Sequence, residues 1–300
     1  MIKKKQQLNT IPTYANILLN IFFIIIMLLC IYPVVLILGI SLTSQADIAK
    51  HGYSLFPNSI NIQAYKIMME SKDQLLSAYG VTIFATAIGT ILTTILTALY
   101  AYPLSRREFR YKKFFTFFIF FTMLFNGGLV PWYIVVTKVT HLQDTIWVLI
   151  LPYIMNAFYV IIMRTFFMTT VPNEIIESAR IDGAGELRTF ISIVLPISKP
   201  ALATIALFAT LTYWNDYFLP LMFITKSQLF NLQFLMYKFL MNIAFMQSST
   251  NPEVANKVKD IPSESIRMAY AIFSVGPIII AYPFFQKYFV KGLTIGAVKG

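Results

Sequence analysis

Residues 177–200 read E-S-A-R-I-D-G-A-G-E-L-R-T-F-I-S-I-V-L-P-I-S-K-P, a polar stretch between two long apolar runs. The Asn173 side chain just before it predicts the cap of a short helix, because an amide oxygen accepts hydrogen bonds from the free N–H groups of a first turn. Glu174 adds a favourable charge at the same helix end. The stretch therefore begins with a short polar helix, which is unusual in so apolar a sequence.

Two glycines, Gly183 and Gly185, predict an interruption of this helix. A second short helix is expected from about Glu186, and it should stop at Leu195-Pro196, since the residue before a proline avoids the helical region. The whole stretch is thus predicted to fold as a helix, a tight turn and a helix.

The surrounding composition is that of a membrane protein. Hydrophobic residues make up 57% of the chain and charged residues 12%, well below the roughly 25% of a soluble domain. A membrane-spanning helix needs about 20 mostly apolar residues, and six intervals meet this need, one of them broken by Asp216 alone. The six predicted spans are Ile17–Ile40, Asp73–Arg106, Lys113–Lys138, Asp144–Arg164, Pro200–Thr225 and Arg267–Lys287. The fold class expected is therefore an all-α polytopic membrane protein.

Residues 227–252 look like a seventh span, but Lys238 lies at their centre. A charge at the bilayer centre costs roughly 2.5–3.5 kcal/mol, and the polar second half of this segment offers nothing to offset that cost. We expect an external amphipathic segment there. A second interfacial helix is expected around Ile62–Lys72, where apolar and charged residues alternate.

The net charge of +11 follows the topology. With both termini in the cytoplasm, most Lys and Arg residues fall on the inner side, and the cluster from Arg106 to Lys113 fixes this orientation by the positive-inside rule. The charge thus reflects membrane topology and does not indicate nucleic-acid binding. The expected organisation is a cytoplasmic arm (1–15) and a permease domain (16–300), which contains a cytoplasmic loop (169–200), external loops (43–75 and 226–266) and a cytoplasmic tail (287–300).

No enzyme chemistry is indicated. The chain has two histidines and one cysteine, Cys30, too few for a Ser/His/Asp or Cys/His set, and His141 has no partner pattern for a metal. The phosphate-binding pattern G-x-x-x-x-G-K-[ST] is absent. We therefore expect no cofactor in this chain, and an ATP site must lie on another polypeptide if ATP drives the process.

Two places in the spans are candidates for a transport path. Asn126-Gly127-Gly128 with Pro131 predicts a broken helix, which at membrane depth usually lines a cavity. The second is a run in which Tyr213, Asp216 and Tyr217, at i, i+3 and i+4, would share one helix face. The run supplies both aromatic faces and polar groups, as a sugar site requires, and comprises Tyr213, Trp214, Asn215, Asp216 and Tyr217. The alternative is that Asp216 joins neighbouring helices and never contacts the solute.

The loop spacing resembles that of permease subunits of ATP-driven, binding-protein-dependent importers. Their cytoplasmic loop reads E-A-A, three residues, G, nine residues, then I-x-L-P. Glu177, Ser178 and Ala179 precede Gly183 here at this spacing, and Ile193-Val194-Leu195-Pro196 follow. Ser178 replaces an alanine, a small-for-small exchange.

The resemblance to carbohydrate-importer permeases extends over essentially the full length. It includes F-N-G-G-L-V-P from Phe125, L-Q-D-T-I-W from Leu142, W-N-D from Trp214 and the ending Y-F-V-K-G-L-T-I-G-A-V-K-G. It is similar to the branch of the maltose-type importer's second permease subunit, which serves oligosaccharides and polysaccharide fragments. It implies a six-helix type I importer fold in a bacterial plasma membrane. It also implies a second permease subunit, two ATPases that bind ATP and Mg, and an external solute-binding protein.

The resemblance further implies residue roles. The loop helix would fit a cleft of the ATPase, with Glu177 on a basic residue of that subunit and Gly183 at the turn; the implied ATPase-coupling residues are Glu177, Ser178, Ala179, Asp182, Gly183, Ala184, Leu195 and Pro196. The alternative for Glu177 is a local pair with Arg180. The tail, which is too glycine-rich to be expected as a helix, would insert between the ATPases. Its implied contact residues are Gly292, Gly296, Lys299 and Gly300. The alternative is a solvated basic tail attracted to anionic lipid.

Other classes of function remain open at this point. An ion-coupled secondary carrier would use Asp216, but no second half of the chain mirrors the first as an inverted repeat. An importer for a solute other than a sugar would share the same loop. A scaffold or insertion factor would explain neither the loop nor the tail.

Overall fold

The computed structural model describes residues 12–248 and 262–297, and the regular structure in these ranges is helical throughout. This confirms the expected all-α class. The α-helices are α1 Thr13–Ser41, α2 Gln45–His51, α3 Gln63–Glu70, α4 Lys72–Ser105, α5 Lys112–Leu124, α6 Leu129–Ile134, α7 Ala157–Thr170, α8 Asn173–Ile181, α9 Glu186–Thr189, α10 Leu195–Ile197, α11 Lys199–Trp214, α12 Phe218–Phe223, α13 Leu232–Gln247 and α14 Ser263–Ala297. Short π-helical turns cover Val135–Val139 and Phe190–Val194, and 3-10 turns cover Ile146–Leu149, Leu151–Tyr153 and Ser227–Leu229.

Two of these helices, α1 and α4, are each long and apolar enough to cross a membrane. Three more candidates are helix pairs, each bent at a short break. The bent pairs are Lys112–Leu124 with Leu129–Val139 (112°), Ile146–Tyr153 with Ala157–Thr170 (51°), and Glu186–Ile197 with Lys199–Trp214 (81°). By length and composition, the described residues therefore hold two spans, or up to five if each bent pair is one span.

The interval predicted as the sixth span, Arg267–Lys287, lies inside the 35-residue helix α14. Against expectation, this helix continues to Ala297 through Gly292 and Gly296. The prediction of a non-helical tail is thus wrong for residues 287–297. Extending an existing helix costs only about 1 kcal/mol for each glycine relative to alanine, and no new nucleus has to form. Lys299 and Gly300 lie outside the described residues.

The segment rejected as a seventh span forms α13, whose 16 residues are too few to cross a bilayer. The helix begins with the buried residue Leu232. Its backbone N–H donates to the Thr82 hydroxyl oxygen of α4 at 2.8 Å. The Lys238 ammonium lies over the Phe230 ring, 4.7 Å from its centroid. The start of α13 is therefore packed on α4, and the expected external position of this segment stays a prediction; residues 249–261 of the predicted loop lie outside the described residues.

The described residues fall into two compact units, one built from the first 70 residues with part of 243–273, the other from 71–242 with part of 274–300. In the first unit, α1 ends at a polar contact: the hydroxyls of Ser41 and Tyr65 are hydrogen-bonded at 2.9 Å. Ser265 donates to the Thr43 carbonyl oxygen at 2.6 Å. The most apolar stretch of α1 is wholly unburied, as suits a helix that faces lipid or another subunit.

In the second unit α4 packs against both α7 and α11, which gives it a central position there. The side of α4 that faces these helices carries small residues, because small side chains let helix backbones approach closely. The buried small residues of α4 include Ala78, Ala85, Thr86, Gly89, Thr93, Thr97, Ala98 and Ala101. An apolar core formed by α4, α7 and the polar loop's Ile176, Phe190 and Val194 continues from this contact.

Helices α4 and α11 approach each other closely at Gly89. A Cβ atom added to Gly89 would lie 2.5 Å from the Tyr213 ring. The Tyr213 hydroxyl is hydrogen-bonded to Thr93 at 3.0 Å and donates to the Ile150 carbonyl oxygen at 3.0 Å. The absent side chain of Gly89 thus makes the space in which the Tyr213 ring is buried.

We expect Gly89→Ala to destabilise the protein by about 1–3 kcal/mol, because the added methyl group overpacks a rigid aromatic ring. The matched control is Gly80→Ala in the same helix, where an added Cβ meets nothing within 4 Å; this change should leave stability equal or raise it by about 0.4–1 kcal/mol. Thermal unfolding of the purified protein measures both. Equal midpoints for the two variants would contradict the close approach.

Candidate functional site: a polar loop and a cavity at a helix break

The first site is the polar loop, which opens with α8. This helix begins directly after Pro172 with no side-chain cap, so the predicted capping role of Asn173 is wrong. Asn173 occupies the first helical position instead, because Pro172 already holds the extended conformation of the residue before the helix. Ile176 and Ala179 form the buried side of α8 and pack towards the core.

The end of α8 is a Schellman motif built around Gly183. The Ala184 N–H donates to the Ala179 carbonyl oxygen at 2.9 Å, and the Gly183 N–H donates to that of Arg180 at 3.0 Å. Gly183 has φ +78°, a left-handed conformation that glycine adopts without steric cost. The predicted tight turn is therefore confirmed, and its geometry requires this glycine.

The second helix of the loop differs from the prediction at its end. It runs from Glu186 to Ile197 and passes through Leu195-Pro196, and an 81° bend follows at Ser198. The π-helical turn Phe190–Val194 explains the continuation: a wider turn shifts the hydrogen-bond register just before Pro196, which has no N–H of its own to place in it. Leu195 is half-buried against the core, and Pro196 is exposed.

The outer side of α8 carries Glu177, which forms no hydrogen bond or ion pair with any residue that the structure describes. The alternative local pair with Arg180 is therefore not formed. Ser178 and Asp182 are also exposed, and Ile181 at the helix end is 87% exposed. An unpaired carboxylate beside an exposed isoleucine forms a surface suited to docking another protein that offers a cation and an apolar contact.

Arg180, unlike Glu177, forms ion pairs with two carboxylates, those of Glu186 and Glu108. Its Nη2 and Nε donate to one carboxylate oxygen of Glu186 at 2.7 and 3.1 Å, and its Nη1 lies 3.5 Å from Glu108. The second oxygen of Glu186 accepts from the Tyr102 hydroxyl of α4 at 2.9 Å. The hydrogen bond to Glu186 and then its negative charge raise the pKa of Arg180. Sequence reasoning missed Tyr102 and Glu186; the only signal was an Arg and a Glu on either side of the glycine turn.

The second site is the break that Asn126-Gly127-Gly128 predicts, and the structure confirms it. Helix α5 ends at Leu124 and α6 begins at Leu129 with a bend of 112°. The Asn126 side-chain oxygen accepts from the Gly128 N–H at 2.8 Å, and Gly128 has φ +86°. Asn126 therefore satisfies a backbone donor that the break would otherwise leave free.

A cavity of about 790 Å³ opens at this break, within the size range of small-molecule sites. Its wall is mostly apolar and aromatic, with a few polar groups and no charged residue among the described residues that line it. The lining comprises Thr122, Phe125, Asn126, Gly127, Gly128, Leu129, Pro131, Trp132, Val135, Pro152, Tyr153 and Phe218. The rings of Trp132 and Phe218 are parallel within 2°, with centroids 6.1 Å apart. Sequence reasoning missed Trp132, Tyr153 and Phe218, which only the fold brings together.

The run around Asp216 is not a helix face. Helix α11 ends at Trp214 and Asn215 follows it as the C-cap, so the argument that Tyr213, Asp216 and Tyr217 share one face is wrong. Tyr213 and Trp214 are buried, and the Trp214 Nε1–H donates to the Ser274 carbonyl oxygen at 2.9 Å. Asn215 and Tyr217 are exposed.

Asp216 is 8% exposed and caps α12. Its Oδ1 accepts from the Phe218 and Leu219 N–H groups at 3.0 and 3.2 Å and from the Tyr153 hydroxyl at 3.2 Å. The other carboxylate oxygen, Oδ2, is buried without a partner. Asp216 thus orients Tyr153, which lines the cavity, and holds the turn that places Phe218.

A separate carboxylate, Asp144, lies just before the bent pair Ile146–Tyr153 with Ala157–Thr170 and binds the segment that follows α12. Its side chain accepts from the Thr225 hydroxyl at 2.7 Å and from the Thr225 and Lys226 N–H groups at 2.6 and 3.1 Å. These hydrogen bonds, led by that of the Thr225 hydroxyl, lower the pKa of Asp144. His141 lies in the same loop. No group of three His, Cys, Asp or Glu side chains in the described ranges could hold a metal ion.

Comparisons with known proteins agree with this geometry. The family described as binding-protein-dependent transport system inner membrane component matches residues 104–295. The polygalacturonan/rhamnogalacturonan transport system permease protein YtcP of Bacillus subtilis (strain 168) is 36% identical, over 93% of this chain and 96% of the relative. The maltodextrin transport system permease protein MdxG of the same organism is 30% identical over 98% of each chain.

Among solved structures, a bacterial ABC transporter involved in the import of the acidic polysaccharide alginate contains a similar chain. The TM-score is 0.77 and the identity 29%, over 94% of this chain and 100% of that one. The chain described here belongs to the family of binding-protein-dependent transport system inner membrane components, and it is a transport component rather than an enzyme.

Proposed function

We propose that this chain is the permease subunit of an ATP-driven importer, that it forms part of the path for an oligosaccharide or polysaccharide fragment, and that it couples closure of the ATPases to alternating access. The observation that carries the proposal is the polar loop, where α8 exposes the unpaired Glu177 beside a turn fixed by Gly183. The names of the two relatives and of the structural neighbour, which all concern glycans, support the carbohydrate class.

In this proposal the chain crosses a bacterial plasma membrane six times with both termini in the cytoplasm. The two unbroken helices, the three bent pairs and α14 supply the spans. The partners are a second permease subunit, two ATPases that carry ATP and Mg, and an external solute-binding protein. The tail beyond residue 287 extends towards the ATPases as a helix as far as Ala297.

The path on this subunit is the cavity at the break. A sugar ring offers an apolar face and a rim of hydroxyls, and the cavity offers parallel aromatic rings with the polar groups of Asn126 and Tyr153. Asp216 supports this wall through Tyr153. Because two hydrogen bonds tie Asp216 to the start of α12 and a third ties it to Tyr153, its role as the ion site of a secondary carrier is not favoured.

We expect Glu177→Ala to weaken binding of the ATPase about tenfold, equivalent to roughly 1.4 kcal/mol, because the exposed carboxylate loses its cationic partner. Copurification of the ATPase and ATP hydrolysis coupled to transport measure the effect. The control is Glu70→Ala, an exposed carboxylate at the end of α3. Wild-type values for Glu177→Ala in both measurements would remove the docking role.

Gly183→Ala is expected to impair the same docking, because a Cβ atom at positive φ costs about 1 kcal/mol and loosens the Schellman turn. The matched control is Gly185→Ala, since Gly185 has φ −71° and an added Cβ there meets nothing within 4 Å. ATPase copurification should fall for Gly183→Ala alone. Equal retention in both variants would show that the turn geometry is dispensable.

For the path, we expect Trp132→Leu to lower maximal sugar uptake about tenfold, since a stacking surface is lost while apolar volume is kept. Trp147→Leu, at a half-exposed tryptophan that does not line the cavity, is the matched control. Uptake of labelled oligosaccharides into proteoliposomes, with subunit assembly measured in parallel, tests both. Normal uptake by Trp132→Leu would exclude this cavity from the path.

A further inference from the structure

Glu186 joins three parts of the second compact unit. Through one oxygen it accepts from Arg180, at the end of the first loop helix, and through the other from Tyr102, in the last turn of α4. Glu186 itself starts the second loop helix. One carboxylate therefore fixes both helices of the polar loop to the long central helix.

The Tyr102 side chain, which takes part in this connection, is held in place by its packing. Its ring is 8% exposed and packs on Phe190, with centroids 4.9 Å apart, and edge-on against Phe167 at 6.4 Å. The Arg106 guanidinium lies over the Tyr102 ring, 5.0 Å from its centroid. A hydroxyl on a ring held in this way has a fixed position, and the hydrogen bond to Glu186 is directional.

Apolar packing does not fill the space next to this connection. A cavity of about 480 Å³ lies beside it, and its lining includes Leu99, Pro103 and Phe109 from α4 and the turn after it, and Leu187 from the polar loop. Leu187, the residue after Glu186, is 66% exposed. At the glycine turn polar contacts therefore bridge a gap between the loop and the end of α4, while Phe190 of the loop packs on the Tyr102 ring of α4.

We propose that Glu186 is a positioning residue for energy coupling: through Tyr102 it passes displacement of the polar loop to α4. The inference rests on the proposed coupling function and adds the residue pair that carries the motion into the membrane. Since α4 packs against both α7 and α11, a displacement of its cytoplasmic end reaches the helices that lead to Tyr153 and Asp216.

The test follows alternating access directly, without the identity of the sugar. In the assembled complex, Cys30→Ser removes the single cysteine of this chain, and Gly127→Cys places a thiol in the cavity wall, where an added Cβ meets only the Pro131 Cβ at 4.0 Å; labelling is followed on this chain, separated from its partners after the reaction. The rate of maleimide labelling is compared with and without ATP. Tyr102→Phe and Glu186→Gln are then introduced singly and together.

We expect each single variant to reduce the ATP-dependent change in labelling at least about fivefold, the lower range of allosteric coupling. The double variant should match the singles, because both changes break one connection. The ATPases should copurify as with the parent. Tyr100→Phe is the matched control, since this hydroxyl of the same helix donates to the Phe115 carbonyl oxygen and not to the loop; it should behave as the parent.

Two results would overturn the inference: a parent-like response in both single variants, or loss of the ATPases from either, which would make the contact one of assembly. A different result bears on the proposed function. If labelling of the parent complex does not respond to ATP, alternating access at this cavity is wrong, and the role of Glu186 in it falls as well.

Discussion

The structure depends on one constraint: in the hydrocarbon of a bilayer, every backbone N–H and C=O must find its partner within the protein. Helices satisfy it except where they break. At three breaks among the described residues, an Asn or Asp side chain accepts a hydrogen bond from a backbone N–H that the break leaves free. Asn126 accepts from the Gly128 N–H, Asn156 from the Phe158 N–H and Asp216 from the Phe218 N–H, at 2.8–3.0 Å. Each is a side chain that binds the backbone two residues on, the pattern that Asn and Asp adopt in turns.

These breaks also determine where the cavity lies. A helix interrupted at Asn126 and a turn held by Asp216 place the Trp132, Tyr153 and Phe218 side chains at one wall, although they lie far apart in sequence. The residues that keep the backbone satisfied and the residues that line the cavity are thus mostly different. Asp216 belongs to the first group, and its buried position follows from that role.

The sequence predicted what depends on local geometry. The membrane class, the broken helix at Asn126 and the turn at Gly183 all follow from composition or glycine spacing. Predictions failed where one local rule displaced another. Pro172 supplied the extended residue before α8, which Asn173 was expected to cap, and α11 ended two residues before Asp216, so that Asp216 does not continue its face. The contact of Tyr102 with Glu186 spans 84 residues, and no periodicity in the sequence reports a contact of that kind.

The π-helical turn Phe190–Val194 overlaps the nine-residue spacer between Gly183 and Ile193. A π turn holds one residue more than an α turn, and one residue corresponds to about 100° of rotation. The spacer therefore contains an extra residue that the helix absorbs locally, and the orientation of Leu195 towards the core already includes that rotation. The number of residues between Gly183 and Pro196 thus determines the rotation of the helix about its axis as well as its length. A homologue with one residue fewer in this interval would have to regain the same angle elsewhere in its backbone.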